Sequence, residues 1–129
     1  MEKGNQIAEK SYKFAIRIVR LYQYLCKKQY EFILSKQVVR SGTSIGANVE
    51  EGLGGQSRND FVAKFQISLK EARETRYWLR LLRDTDYLEP KLANSLTEDA
   101  EELIKILISI LRTTKDNSEK IEAEKKRKA

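Results

Sequence analysis

Apolar residues recur along this chain at intervals of three, four and seven, the period of an α-helix buried along one side, and no stretch alternates at the period of two that a half-buried strand needs. The pattern predicts four helices. The first covers roughly Gln6 to Lys28, with Ile7, Phe14, Ile18, Leu21, Tyr22 and Leu25 on its apolar stripe. The second covers about Phe32 to Leu53 and closes on Gly52-Leu53-Gly54-Gly55, a glycine-rich stop signal. Ser57-Arg58-Asn59-Asp60 resembles a capping box, so a third helix starts there and continues to about Asp84. Its stripe is Phe61, Phe65, Ser68, Ala72, Thr75, Leu79 and Leu82, while Ile67, Trp78 and Leu81 project from other faces. After the turn Tyr87-Leu88-Glu89, Pro90 suits the first turn of a fourth helix ending near Thr114. Leu92, Leu96, Leu103, Leu107 and Ile110 form its stripe, and Ile104, Ile106, Ile108 and Leu111 make its second half apolar almost all round. Four helices joined by short connections predict an all-α, antiparallel up-down-up-down four-helix bundle over residues 1–114. Residues 115–129 are expected to form a charged tail, either a frayed helical extension or disordered. The surplus apolar surface of the fourth helix predicts self-association into a homo-oligomer.

The second helix is the least generic. At 100° per residue it places Leu34, Val38, Gly42, Ile45 and Val49 on one stripe, with Gln37, Ser41, Ser44, Asn48 and Glu51 on the stripe beside it. Each glycine inside a helix costs about 1 kcal/mol relative to alanine, so Gly42 and Gly46 point to close approach of a neighbouring helix. The polar stripe has a counterpart on the third helix in Lys64, Ser68, Glu71 and Thr75. Where two polar seams meet away from water, carboxylates need cationic partners, and Glu71 or Glu51 would pair with Arg40 or Lys64. Gln37, Ser41, Ser44, Asn48, Glu51, Lys64 and Glu71 are therefore expected to form a structural polar network that fixes helix register. A ligand pocket is the alternative.

Composition narrows the picture. At 129 residues the chain makes one domain, and one proline and six glycines are too few for a many-stranded sheet. No signal peptide and no run of roughly 18 apolar residues is evident, so a cytoplasmic protein without a membrane span is expected. Cys26 is the one cysteine, which rules out an internal disulfide. The net charge is +6, but Lys125, Lys126, Arg127 and Lys128 supply four of those charges. The helical body is left near neutral, at +2 (25 basic side chains less four, against 19 acidic). Affinity for a polyanion must then come from local clusters.

The sharpest cluster is Arg73, Arg76, Arg80 and Arg83, which fall within about 80° of one another around the third helix. Arginines at this spacing can follow phosphates and stack on unpaired bases, so they and the tail are the candidate nucleic-acid-binding residues. A solvated or oligomer-facing stripe, helped by Arg80 with Asp84 at i,i+4, is the alternative. Catalytic chemistry is restricted. The chain has no histidine, which removes the Glu-x-x-His motif of di-iron bundles, imidazole-based triads and most zinc sites. No catalytic residue, metal ligand or cofactor is expected. Glu71-x-x-Glu74 and Glu98-x-x-Glu101 leave one enzymatic alternative, a Mg²⁺-dependent nucleotide pyrophosphohydrolase.

Three segments, Ser41-Gly-Thr-Ser-Ile-Gly-Ala-Asn-Val-Glu-Glu-Gly52, Ser57-Arg-Asn-Asp-Phe61 and Lys70-Glu-Ala-Arg-Glu-Thr-Arg-Tyr-Trp78, together resemble the bacterial four-helix-bundle family of 23S rRNA intervening-sequence proteins. The resemblance extends from about Phe14 to Leu111. It implies a short four-helix protomer, often in a pentameric ring, encoded within or beside insertions in ribosomal RNA genes. The family is similar to the accessory variability proteins of diversity-generating retroelements, basic pentameric barrels that engage RNA and a reverse transcriptase. A non-enzymatic RNA-engaging scaffold is therefore expected. A ring presenting Tyr77, Trp78 and the helix ends to another protein is the second expectation.

Overall fold

A computed structural model describes the backbone of residues 2–129 and the side chains of residues 4–129. Four helices follow one another: α1 (Glu2–Lys27), α2 (Leu34–Leu53), α3 (Arg58–Asp84) and α4 (Pro90–Lys128). Connections of four to six residues force each helix to fold back on its predecessor, and α1 closes on α4, giving an up-down-up-down bundle. The core takes one stripe from each helix. Ile7, Phe14, Ile18, Leu21 and Leu25 of α1 meet Val38, Ile45 and Val49 of α2. Phe65, Ala72, Leu79 and Leu82 of α3 meet Leu96, Leu103, Leu107 and Ile110 of α4. Phe61 stacks on Phe65 with ring centroids 4.1 Å apart.

The glycines of α2 mark its close contacts. A Cβ on Gly42 would stand 2.7 Å from Cγ2 of the fully buried Ile18, and one on Gly46 would meet Ser11 Oγ at 3.2 Å. On the other flank, a Cβ on Gly52 would strike the Phe65 ring at 2.7 Å. Small residues thus let α1 and α3 approach α2 at three points. Gly54 serves the helix end differently from the usual left-handed glycine, since its φ is −88°. Its amide simply closes the last turn on Glu50 O at 3.1 Å.

Three boundaries differ from the expectation. The first helix begins at Glu2 rather than Gln6. The second begins at Leu34 because the Glu31 carboxylate, only 8% exposed, accepts from the amides of Ile33, Leu34 and Ser35 at 3.1, 3.0 and 2.6 Å. These amides have no partner within the helix, so the acid acts as an N-terminal cap and leaves Phe32 and Ile33 outside. The fourth helix runs through Thr114 to Lys128 without a break. Residues 115–128 contain no glycine or proline and carry ion pairs at i,i+3 and i,i+4, among them Lys125 with Glu122 and Lys128 with Glu124, which favour helix. Arg58, the first residue of α3, bonds to Ser118 at 2.9 Å. The helix beyond that level, residues 119–128, projects past the start of α3 by roughly 15 Å.

The apolar surplus of α4 is largely absorbed within the chain. Ile104 is buried, and Ile106, Ile108 and Leu111 are half-buried against the core. On α4, Leu92, expected on the buried stripe, is instead exposed near the helix start, where Ala93 and Leu96 face the core, and Ile121 is exposed on the projecting end. Other large exposed apolar groups lie at Tyr12, Ile16 and Val19 on α1 and at Tyr30, Phe32 and Ile33 in the first turn.

Candidate nucleic-acid interface

The position of the arginine stripe follows from the residues at its two ends. Arg58 bonds to Ser118, and Arg83 Nη1 bonds to Asn94 Oδ1 at 3.1 Å, both on α4. On an ideal helix these two arginines lie within about 20° of one another, so Arg73, Arg76 and Arg80 between them border the α3–α4 seam. Arg73 and Arg80 are exposed and Arg76 is half-buried. Among the described residues, none of these three makes an ion pair or a side-chain hydrogen bond within the chain. The opposite flank of α3 faces α2 through Ser68, Glu71 and Thr75.

Arg83 is less available than its three companions. Its Nε lies 2.8 Å from Asp84 Oδ1, and with its bond to Asn94 it closes the α3–α4 turn. The hydrogen bond from Arg83, with added attraction to Arg80, holds the Asp84 carboxyl below its ordinary range. Asp84 thus takes Arg83 as its direct partner, where spacing on the helix had suggested Arg80. In the tail, Lys125, Arg127 and Lys128 pair with Glu122 or Glu124, whereas Lys126 has no ionic partner among the described residues. Exposed pairs of this kind are worth about 0.3–0.5 kcal/mol, so a polyanion can displace them.

Toward the start of α3 the same seam widens into an open groove of about 810 Å³. Val62 and Leu111 supply apolar surface, and Arg58, Arg112 and Lys115 supply cationic groups beside Asp116 and Glu119.

The polar seam of α2 meets that of α3 as two kinds of contact. At the surface, Arg40 reaches Glu71 at 3.3 Å, Gln37 at 3.3 Å and also Glu74, while Lys64 pairs with Glu51 at 2.8 Å. In the interior, Thr75 Oγ1 lies 2.9 Å from Ser41 Oγ and 2.7 Å from the Glu71 carbonyl, and Ser68 donates to the Ile45 carbonyl at 2.9 Å. Asn48 donates to the Ser44 carbonyl one turn back, so those two stay on α2. With Glu71 and Glu74 both directed to Arg40, this acidic pair does not converge with Glu98 and Glu101, which lie exposed on α4. Among the described residues no group of three or more acids or thiols is placed to hold a metal ion.

Sequence reasoning missed the α1–α4 closure, where Arg17 bonds to Asp99 and Ser95 and Lys10 pairs with Glu102 at 2.6 Å. It also missed Glu31, whose sole sequence signal is a serine four residues later.

A family model of the 23S rRNA-intervening sequence protein matches residues 3–109, nearly all of the four-helix body. The chain belongs to that family. Among solved structures, this member of the family is similar to a protein of unknown function from the S23 ribosomal protein family of Bacteroides thetaiotaomicron. The two share 51% identity over 85% of this chain and 98% of the other, with a TM-score of 0.84. No curated protein sequence matches. Neither the family description nor the structural relative names a catalytic activity. No helix among the described residues is long and apolar enough to cross a membrane.

Proposed function

We propose that this intervening-sequence protein is a non-enzymatic, cytoplasmic scaffold that assembles into a homo-oligomer and engages RNA electrostatically. The observation that carries the proposal is the set Arg73, Arg76 and Arg80. Three guanidinium groups lie on one edge of one helix without an ion pair among the described residues, Arg80 feeling Asp84 only at longer range, while Arg17, Arg40 and Arg83 of the same body each make one. Lys126 and the tail charges displaced from Glu122 and Glu124 extend the cationic surface along the projecting end of α4. Such contacts neutralise phosphates with little base readout, and an oligomer multiplies them through effective concentration. The family description refers to an intervening sequence of 23S rRNA, which makes ribosomal RNA the first partner to test.

The test is a titration of the purified protein against a structured ribosomal RNA fragment at several salt concentrations, with its oligomeric mass measured alongside. Log affinity is expected to fall against log salt by roughly 0.7 to 0.9 per neutralised phosphate. Reversing Arg76 and Arg80 to glutamate should weaken binding and flatten that slope by about 2 per engaged protomer. Unchanged affinity in that variant would overturn the proposal.

A second reading is a protein-directed adaptor. Tyr77 is 52% exposed and meets Trp78 edge-on at 5.0 Å, which leaves an aromatic surface open to a protein partner. Weak, salt-insensitive RNA binding beside a tight protein partner would favour it.

A further inference from the structure

The turn between α1 and α2 holds the most exposed large apolar side chains of the described residues. Tyr30 and Ile33 are each 75% exposed and Phe32 is 52% exposed. Three bulky apolar groups within four residues are costly to leave in water, and chains normally blunt such a tip with polar residues. Here the tip is held in one shape. Tyr30 adopts φ 51°, a left-handed conformation uncommon for any residue but glycine and asparagine. The Glu31 amide bonds back to the Leu25 carbonyl at 3.0 Å, and the Glu31 carboxylate pins the next three amides but one residue away. Ser35 Oγ returns to the Glu31 carbonyl at 2.8 Å. Glu31, the only acid of the segment, is thereby turned inward and spent on the backbone.

What remains outward is cationic and aromatic, with Ile33 as the one large aliphatic group of the segment. Lys27, Lys28 and Lys36 flank the tip, all exposed and none with an ionic partner among the described residues. Because α2 and α3 are antiparallel, with Ser41 beside Thr75 and Glu51 beside Lys64, the tip stands at the same end of the bundle as Arg80 and Arg83.

We infer that this tip is a docking point for unpaired RNA nucleotides, whose bases stack on Tyr30 and Phe32 while the three lysines hold the adjoining phosphates. The inference rests on the RNA reading above and adds to it a preference for single-stranded over duplex RNA. Charge complementarity selects the occupant: the exposed acids Asp84, Asp86 and Glu89 of the α3–α4 turn share this end of the bundle, but within the tip segment itself the one acid is turned inward, and aromatic faces between lysines suit an anionic, π-bearing chain. A preformed tip also avoids the ordering cost that a flexible loop would incur on binding.

The experiment compares the intact protein with a Tyr30→Asn/Phe32→Ala variant, asparagine being chosen because it tolerates the left-handed backbone. Both are titrated with a single-stranded RNA carrying a fluorescent purine analogue and with the same RNA paired to its complement. Circular dichroism confirms the fold and light scattering gives the mass. The intact protein is expected to prefer the single strand and to quench the analogue. The variant should lose about tenfold or more of that affinity, together with the quench, and keep its duplex affinity. The Arg76→Glu/Arg80→Glu protein should lose affinity for both RNAs. If the arginine variant loses binding and the tip variant does not, the tip inference falls and the electrostatic reading stands. If the intact protein binds neither RNA, both fall. A changed oligomeric mass in the tip variant would assign the tip to an interface between copies and overturn the inference. So would binding to phosphatidylserine vesicles that the tip variant loses while keeping its RNA affinity.

Discussion

Replacing Gly42 with alanine tests whether α1 and α2 are in hard contact. On propensity alone the change should stabilise α2 by about 1 kcal/mol, because alanine is the best helix former and glycine among the worst. The structure opposes this gain. The new methyl would stand 2.7 Å from Ile18 Cγ2, 2.9 Å from Cγ1 and 3.2 Å from Cβ, against an ordinary carbon–carbon separation of about 3.5–4.0 Å. Ile18 is fully buried, and all three of the nearest atoms belong to its branched stem rather than to a flexible end. Branching at Cβ leaves it few rotamers to escape into, so relief requires α1 to shift. Overpacking of this kind costs about 1–3 kcal/mol. We expect a net loss of up to about 2 kcal/mol, read as a lower urea midpoint with an unchanged slope in a melt followed by circular dichroism at fixed protein concentration. Shortening the clashing side chain supplies the control. The Gly42→Ala change made in an Ile18→Ala background should be neutral or stabilising, a coupling that isolates the contact. Gly54→Ala, where the added Cβ meets nothing closer than 3.6 Å and φ is negative, should cost nothing. A more stable Gly42→Ala protein, or a penalty that persists when Ile18 is shortened, would refute the close-contact argument.

Two further expectations concern polar groups inside the bundle. Burial would raise the pKa of Glu31, but the amides of Leu34, Ser35 and Ile33 outweigh it and hold the carboxyl below its ordinary value of 4.5. Its stabilising contribution is therefore complete above pH about 4.5 and is lost as pH falls through the lower folded value. Glu31→Gln should lose about 1–3 kcal/mol at neutral pH and less in acid, so that the stability curves of the two proteins converge on acidification. Curves that stay parallel would count against the cap. Thr75→Val removes one hydroxyl of the buried Thr75–Ser41 contact and should cost about 1 kcal/mol in urea melts, while adding Ser41→Ala should cost less than the two single changes summed. Strict additivity would show that the contact between these hydroxyls carries no weight.

How far the fold was legible is clearest at particular residues. The stripes of α1, α3 and α4 could be read directly, apart from Leu92, which is exposed at the start of α4, because burial on one face leaves a local 3.6-residue period, and Ser57, which accepts from the Asp60 amide at 3.1 Å, was visible as a cap for the same local reason. The glycines of α2 announced a close approach but not its partners, Ile18 on one side and Phe65 on the other. The extension of α4 to Lys128 was written in its glutamate and lysine spacing, yet charge density makes the same segment look like a tail.

The arginines show where sequence stops. Arg40, Arg76 and Arg83 are similar in the chain, each on a helix with acids nearby, and their different fates depend on what neighbouring helices bring to them. Arg40 finds Glu71 and Glu74 across the α2–α3 seam, and Arg83 is fixed by Asp84 and Asn94 at a turn, while the seam beside Arg76 offers no acid within ion-pair distance. The sequence by itself determined the helices, their order and their buried faces, since periodicity is a property of each segment alone. Which charges are matched and which are left for a partner was decided by the tertiary structure. Neighbours on one helix can pair locally, as Arg83 does with Asp84, but pairing across a seam, as between Arg40 and Glu71, requires atoms from separate helices within a few ångströms, and the register and rotation of packed helices set those distances.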